Sequence, residues 1–175
     1  MILEDRQDKD LAFMLKFENV AWYEDGKVRI LDRRIYPIRT EFVVCKSHKE
    51  VAQAIKDMVT QSEGPYTAAA MGMALATYEI KNETNPEKIV AYLEDAAYTL
   101  SHARPTTAEQ MKGIVNGAVK AAKEAVLKGV IGDALVDVIF KYAYDYENNN
   151  YRRYTVIGHN LAKMIPDNGT IMTQC

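Results

Sequence analysis

From Tyr66 to Ile80 the chain reads Tyr-Thr-Ala-Ala-Ala-Met-Gly-Met-Ala-Leu-Ala-Thr-Tyr-Glu-Ile, with no charge before Glu79. Alanine and methionine favour a helix, and a helix that is apolar on every side has no face to offer water. It has to be wrapped by other elements. The small residues Ala68, Ala69, Ala70 and Gly72 let neighbouring backbones come close. The chain must therefore supply several partners for one central helix.

The flanking sequence provides them. Ser47-His48-Lys49-Glu50 reads as a capping box, and Val51, Ala54, Ile55, Met58 and Val59 follow as one apolar stripe that Gly64-Pro65 ends. Asn85-Pro86 opens the next helix, with Ile89, Val90, Leu93, Ala96, Ala97 and Leu100 on its inner face. Arg104-Pro105 breaks that helix, and Thr106-Thr107-Ala108-Glu109 offers a second capping box. The helical period then runs from Met111 to Val126 and stops at Gly129. Asp133 to Tyr146 predicts a further helix, and a last one runs from about Asn150 to Met164.

Before Ser47 the pattern is that of strands. Leu15 to Tyr23 and Lys27 to Leu31 flank Asp25-Gly26, a hairpin signal, and Glu41 to Cys45 gives a third extended run. A sheet of this size is marginal alone and must pack on the helices. Pro166-Asp167-Asn168-Gly169 makes a turn, after which Thr170 to Thr173 reads as a strand. That strand either pairs with the N-terminal sheet or opens another domain. The expected fold class is α+β, mainly α: N-terminal strands over 1–46, a helical domain over 47–166, and the start of a further domain over 167–175.

Composition narrows the functions. Formal net charge is −2, so no polycation points to nucleic acid. Two cysteines, Cys45 and Cys175, make no disulfide framework, and Cys45 reads as a small hydrophobe at a strand end. No apolar run approaches the roughly 20 residues of a membrane span. The start turns charged at once, without a leader's apolar region, so the expected location is the cytoplasm. His48, His102 and His159 are scattered without metal-ligand spacing, and His48 and His159 read as surface or capping residues. Neither a Walker loop nor GxGxxG occurs. Gly64-Pro65-Tyr66-Thr67 could face an anion, but Pro65 removes one donor and a plain helix start fits better. Arg104 is the more telling residue. It sits in a break between two long helices, just before the second one's N-terminus, where a guanidinium fork and a helix dipole both favour phosphate.

Taken in order, these segments resemble one family. Val20 to Asp32 looks like the opening hairpin of 5-methylthioribose-1-phosphate isomerases, and Glu50 to Val59, with the Ala/Gly-rich helix after it, looks like their next helices. Ala103-Arg104-Pro105-Thr106 resembles their Ala-Arg-Pro-Thr junction, Ile157-Gly158-His159-Asn160 the helix before their catalytic domain, and Pro166 to Cys175 that domain's first strand. The same family holds ribose-1,5-bisphosphate isomerase and the regulatory subunits of translation initiation factor 2B.

The resemblance implies the front part of an aldose-ketose isomerase, ending in the first strand of a Rossmann-like catalytic domain. It implies a phosphorylated sugar as ligand, Arg104 as the phosphate contact and Cys175 as the catalytic cysteine. The acid/base aspartate would lie in the second domain, so this chain alone would lack a complete active site. No metal or organic cofactor is implied, and the full-length form is expected to be a homodimer. Two departures stand out. Gln61-Ser62-Glu63-Gly64-Pro65 replaces the usual Arg-Gly-Ala-Pro, and Thr107-Ala108-Glu109 replaces Ala-Val-Asn. Both bring carboxylates towards the phosphate region. They support an alternative expectation, a non-catalytic interaction module like the initiation-factor relatives.

Overall fold

The computed structural model describes residues 6–172. Three strands form one antiparallel sheet in the order β1 (Ala21–Glu24), β2 (Lys27–Leu31), β3 (Phe42–Cys45). Val28 of β2 faces Tyr23 on one side and Cys45 on the other. Ala21, Val28, Ile30 and Cys45 are fully buried, so one face of this small sheet lies on the helical core. That contact is what makes three short strands stable.

The first strand begins at Ala21, not Leu15. Phe17–Val20 instead forms a helical turn, α1, preceded by a 3-10 turn at Phe13–Leu15. The cause lies upstream. The buried Asp8 carboxylate accepts the Phe17 backbone N–H at 2.7 Å, and the Phe17 ring packs edge-on against Tyr144 and Tyr151.

The helices are α2 (His48–Lys56), α3 (Gly64–Glu79), α4 (Pro86–Ser101), α5 (Ala108–Leu127) and α6 (Asp133–Ala162). The central helix is α3, as its composition requires. It packs on α2, α4, α5, α6 and both of the first two strands. Every residue from Thr67 to Thr77 is buried. Gly72 shows why small residues are needed there: a Cβ would stand 3.0 Å from Leu100 Cδ2 of α4 and 3.1 Å from Val51 Cγ1 of α2.

Caps follow the sequence in two places and depart from it in two. Ser47 Oγ accepts the Glu50 N–H at 3.2 Å, while the Glu50 carboxylate takes the N–H of Lys46 instead of Ser47. Asn85 Oδ1 accepts from Glu87 and Lys88. The helix begun at His48 stops at Lys56, because Met58 and Ser62 adopt positive φ, and Gly64-Pro65 opens α3 instead of closing α2. No capping box forms at Thr106–Glu109. A 3-10 turn, Pro105–Thr107, occupies that stretch, and the Thr107 hydroxyl turns back to the Arg104 carbonyl.

The two expected last helices are one. α6 runs unbroken through Glu147-Asn148-Asn149-Asn150, since no glycine or proline interrupts it there and Asn148 Oδ1 accepts the Gln7 N–H at 2.9 Å. Pro166–Gly169 does form a turn, closed by Gly169 N–H to the Pro166 carbonyl. Thr170–Met172 form no strand and are exposed, so neither strand pairing occurs over those residues; Thr173 lies outside the described residues.

Candidate functional site

Arg104 stands where the sequence places it, in extended backbone (φ −145°, ψ 116°) between the end of α4 and the turn that leads into α5. It is half-buried, and among the described residues no carboxylate forms an ion pair with it. Across from it, on α3, Tyr66 donates to Gln110 of α5. Burial and the Glu63 charge push the Tyr66 phenol up, while the nearby Arg104 charge draws it back down. Arg104 thus lies beside the start of α3 as well as that of α5. Cys175 lies outside the described residues, so the two expected site residues are not seen together.

Two cavities flank the start of α3. A cavity of about 420 Å³ lies on one side, lined by Arg33, Ser62, Glu63, Thr67, Glu147 and Tyr151 among others. A smaller one of about 190 Å³ lies on the other, against Tyr66, Gln110, Asn150, Arg153 and Tyr154. Glu63 and Glu147 line both.

Glu147 is the unusual member. It is only 5% exposed, and its Oε1 has no hydrogen-bond partner. Burial pushes its carboxyl up to about 7; the Thr67 hydroxyl bound to it works the other way, and the Glu63 charge adds to the rise. Glu63, on the exposed rim, accepts the Tyr154 hydroxyl at 2.5 Å. The N-terminal end of α3 is therefore attended by two carboxylates, which suits its dipole.

Glu63 is the acid that the sequence marks as a departure from the family pattern, whereas Glu147 was not among the residues the sequence singles out. A signal existed for Glu147. It follows Leu135, Val136, Ile139 and Ala143 on the inner stripe of α6, so a charge there breaks an otherwise apolar period.

A second polar cluster joins three helices. His48 is buried, contrary to its reading as a surface or capping residue, and its Nδ1 lies 2.5 Å from Glu79 Oε2, which also accepts the Tyr92 hydroxyl at 2.6 Å. His48 heads α2, Glu79 ends α3 and Tyr92 lies on α4, so the cluster is a structural clasp. His102 stacks on Tyr98 with ring centroids 4.0 Å apart, and His159 is exposed on α6. Among the described residues no three His, Cys, Asp or Glu side chains gather as a metal would need. None of the helices is long and apolar enough to cross a membrane. Cys45 is buried in the sheet, and burial raises its thiol to about 11, the state of an inert small hydrophobe.

No family model matches the chain. Individual proteins do. The methylthioribose-1-phosphate isomerase of Thermotoga petrophila is 32% identical over 163 residues, which take in 92% of this chain and 44% of that protein. The crystal structure of 5-methylthioribose 1-phosphate isomerase from Pyrococcus horikoshii superposes with a TM-score of 0.62 at 25% identity, covering 73% of this chain and 35% of that one. Translation initiation factor eIF-2B, subunit delta, from A. fulgidus gives 0.61 at 26% identity, covering 73% and 36%. The chain spans less than half the length of the relatives it matches. By sequence and by fold together, it belongs, over that part of their length, to the family of the methylthioribose-1-phosphate isomerases and the initiation factor 2B subunits.

Proposed function

We propose that this chain is the front part of an aldose-ketose isomerase that converts S-methyl-5-thioribose 1-phosphate into the corresponding ribulose 1-phosphate, a step of methionine salvage. The observation that carries the reading is Arg104: a guanidinium without an ionic partner among the described residues, at the junction that leads into α5. On this reading its paired N–H donors would take the substrate phosphate. Cys175 would then serve as acid or base while hydrogen moves between two sugar carbons, with an aspartate from the remainder of the longer protein as its counterpart. The reaction is internal to the sugar and calls for no organic cofactor. The full-length protein is read as a homodimer in the cytoplasm.

The last third of α6 supports the reading of a partial protein. Tyr154, Val156, Ile157 and Leu161 are each about half exposed, an apolar surface that a further domain would cover.

The second reading is a non-catalytic regulatory module. It is favoured by Glu63 and Glu147, which put negative charge beside the region where the isomerases are expected to hold phosphate. A chimera decides between the two. This chain, joined to the remaining part of the Thermotoga petrophila enzyme, should turn over methylthioribose 1-phosphate at roughly 1 s⁻¹ or faster, whereas the 175-residue chain alone should not. A folded chimera without turnover would favour the module.

A further inference from the structure

The smaller cavity at the start of α3, about 190 Å³, is lined by donors that have nothing to donate to. Asn150 of α6 is only 8% exposed. Its Oδ1 accepts an N–H of Arg153, which turns its Nδ2 group the other way, and that group has no hydrogen-bond partner among the described residues. Gln110 gives its oxygen to the Tyr66 hydroxyl, which leaves its amide N–H groups in the same state. Arg153 bonds the neutral Asn150 and forms no ion pair among the described residues, so the rest of its guanidinium fork is free.

Two carboxylates line this cavity too. Glu63 already holds the Tyr154 hydroxyl, and the unpaired Glu147 oxygen is sealed from solvent. Burial also keeps Glu147 partly protonated near neutrality, so it carries less than a full charge. Against them stand Arg153 on the wall and Arg104, whose charge reaches the Tyr66 phenol from the junction of α4 and α5. The two arginines outweigh the two acids. The ligand that fits is one that accepts hydrogen bonds and carries negative charge. The cavity is smaller than the roughly 300 Å³ at which pockets for whole small molecules begin, so it suits one end of a ligand.

We propose that Arg153, with the Asn150 amide it is tied to, is a second phosphate-binding residue of this chain, holding a phosphoryl group from the α6 side while Arg104 holds it from the α4–α5 junction. This rests on the reading of Arg104 as the phosphate contact, and within the isomerase reading the group is the substrate's 1-phosphate. A phosphoryl group offers three strong acceptor oxygens, the complement of two guanidinium forks and two amides. The bond to Asn150 holds the Arg153 fork against the wall before the ligand arrives, so less side-chain freedom is lost on binding.

The test is an NMR titration of the 175-residue chain with inorganic phosphate at constant ionic strength. Expected is saturable binding that moves the side-chain amide signals of Asn150 and Gln110. Arg153→Gln and Arg104→Gln should each weaken it about tenfold or more. Arg153→Lys keeps the charge but not the fork and should fall between Arg153→Gln and the parent protein. Arg152 carries the same charge one residue away and does not line the cavity, so Arg152→Gln should change affinity by less than about twofold. Absence of saturable binding, unchanged affinity in Arg153→Gln, or an equal loss in Arg152→Gln would overturn the proposal. The chimera keeps it apart from the isomerase reading. Phosphate binding that depends on Arg153, beside a folded chimera without turnover, removes the isomerase and leaves the site. Turnover with a KM for methylthioribose 1-phosphate that Arg153→Gln does not change removes the site and leaves the isomerase.

Discussion

Glu79 holds His48 with both of its oxygens: Oε1 accepts the His48 backbone N–H at 2.6 Å, and Oε2 lies 2.5 Å from the ring Nδ1. Tyr92 adds its hydroxyl to Oε2 at 2.6 Å. One carboxylate at the C-terminal end of α3 therefore satisfies the exposed N–H of the α2 start and fixes α4 against both. A helix start needs such acceptors, and here a distant helix supplies one beside the local Ser47 cap.

Glu79→Ala should cost roughly 3 kcal/mol, because it leaves buried donors of His48 and Tyr92 without an acceptor. The effect should depend on acid. Burial pushes the Glu79 carboxyl up, but the His48 and Tyr92 hydrogen bonds outweigh it and hold the group below its ordinary value near 4.5. A depressed folded value gives stability that is present above the unfolded value and lost as pH falls through the folded one. Urea unfolding of the protein and of Glu79→Gln should therefore differ clearly at pH 7 and converge below pH 4.5.

Glu147 should act with the opposite sign. Its folded value, about 7, stands above an unfolded value of 4.5, so the folded state binds the extra proton. Stability should be greatest below pH 4.5 as far as this group is concerned and should fall by roughly 3 kcal/mol as pH rises through 7. Glu147→Gln cannot ionise and should remove that slope. Melting curves at pH 5 and pH 8 check it: the variant should gain on the parent protein as pH rises, and parallel losses in both would refute the assignment.

Arg104→Ala should leave the melting temperature nearly unchanged, since the side chain forms no ion pair among the described residues and lies outside the apolar core. In the chimera with the remaining part of the isomerase it should weaken sugar-phosphate binding by about 1.5–3 kcal/mol, the usual worth of a charged hydrogen bond. Titration with methylthioribose 1-phosphate measures this. A large loss of stability with intact affinity would make Arg104 a structural residue.

Much of this fold is legible because its signals are local. The uncharged run around Met71 can only be a central helix, and Asn85-Pro86 and Asp25-Gly26 carry their caps and turn within a few residues. What is not legible depends on contacts far away in sequence. Phe17 becomes helical because Asp8 and Tyr151 hold it, and His48 is buried because Glu79 meets it. The candidate site divides in the same way. Arg104 shows itself through a helix break, whereas the pairing of Glu63 with Glu147 across α3 and α6 has no counterpart in sequence spacing.

Gly26 tests the hairpin. Asp25 and Gly26 both have positive φ, 47° and 72°, the pair a two-residue hairpin turn of this twist needs. A Cβ on Gly26 would overlap the ring of Tyr78 at the end of α3. Gly26→Ala should therefore cost about 1–3 kcal/mol, combining a strained backbone with a steric clash. Denaturant midpoints would show it, and a neutral result would mean that the hairpin does not sit against Tyr78.

Asn149→Pro asks whether α6 is one helix. The apolar pattern suggests a first helix ending at Tyr146 and a second starting near Asn150, and under that arrangement residue 149 would precede a helix, where proline is tolerated. In the structure α6 is continuous from Asp133 to Ala162, and Asn149 lies on its exposed side. Proline there removes one intrahelical hydrogen bond and drives its ring against the carbonyl a turn earlier, which costs about 3 kcal/mol or more. No core side chain is lost, so any large effect comes from the backbone. Asn149→Ala is the matched control and should stabilise by a few tenths of a kcal/mol through helix propensity alone. Circular dichroism with urea titration reads both. A drop in helicity and stability for proline with a small gain for alanine establishes the single long helix, and it would place Glu147, two residues earlier, on a rigid element able to hold its carboxylate over both cavities.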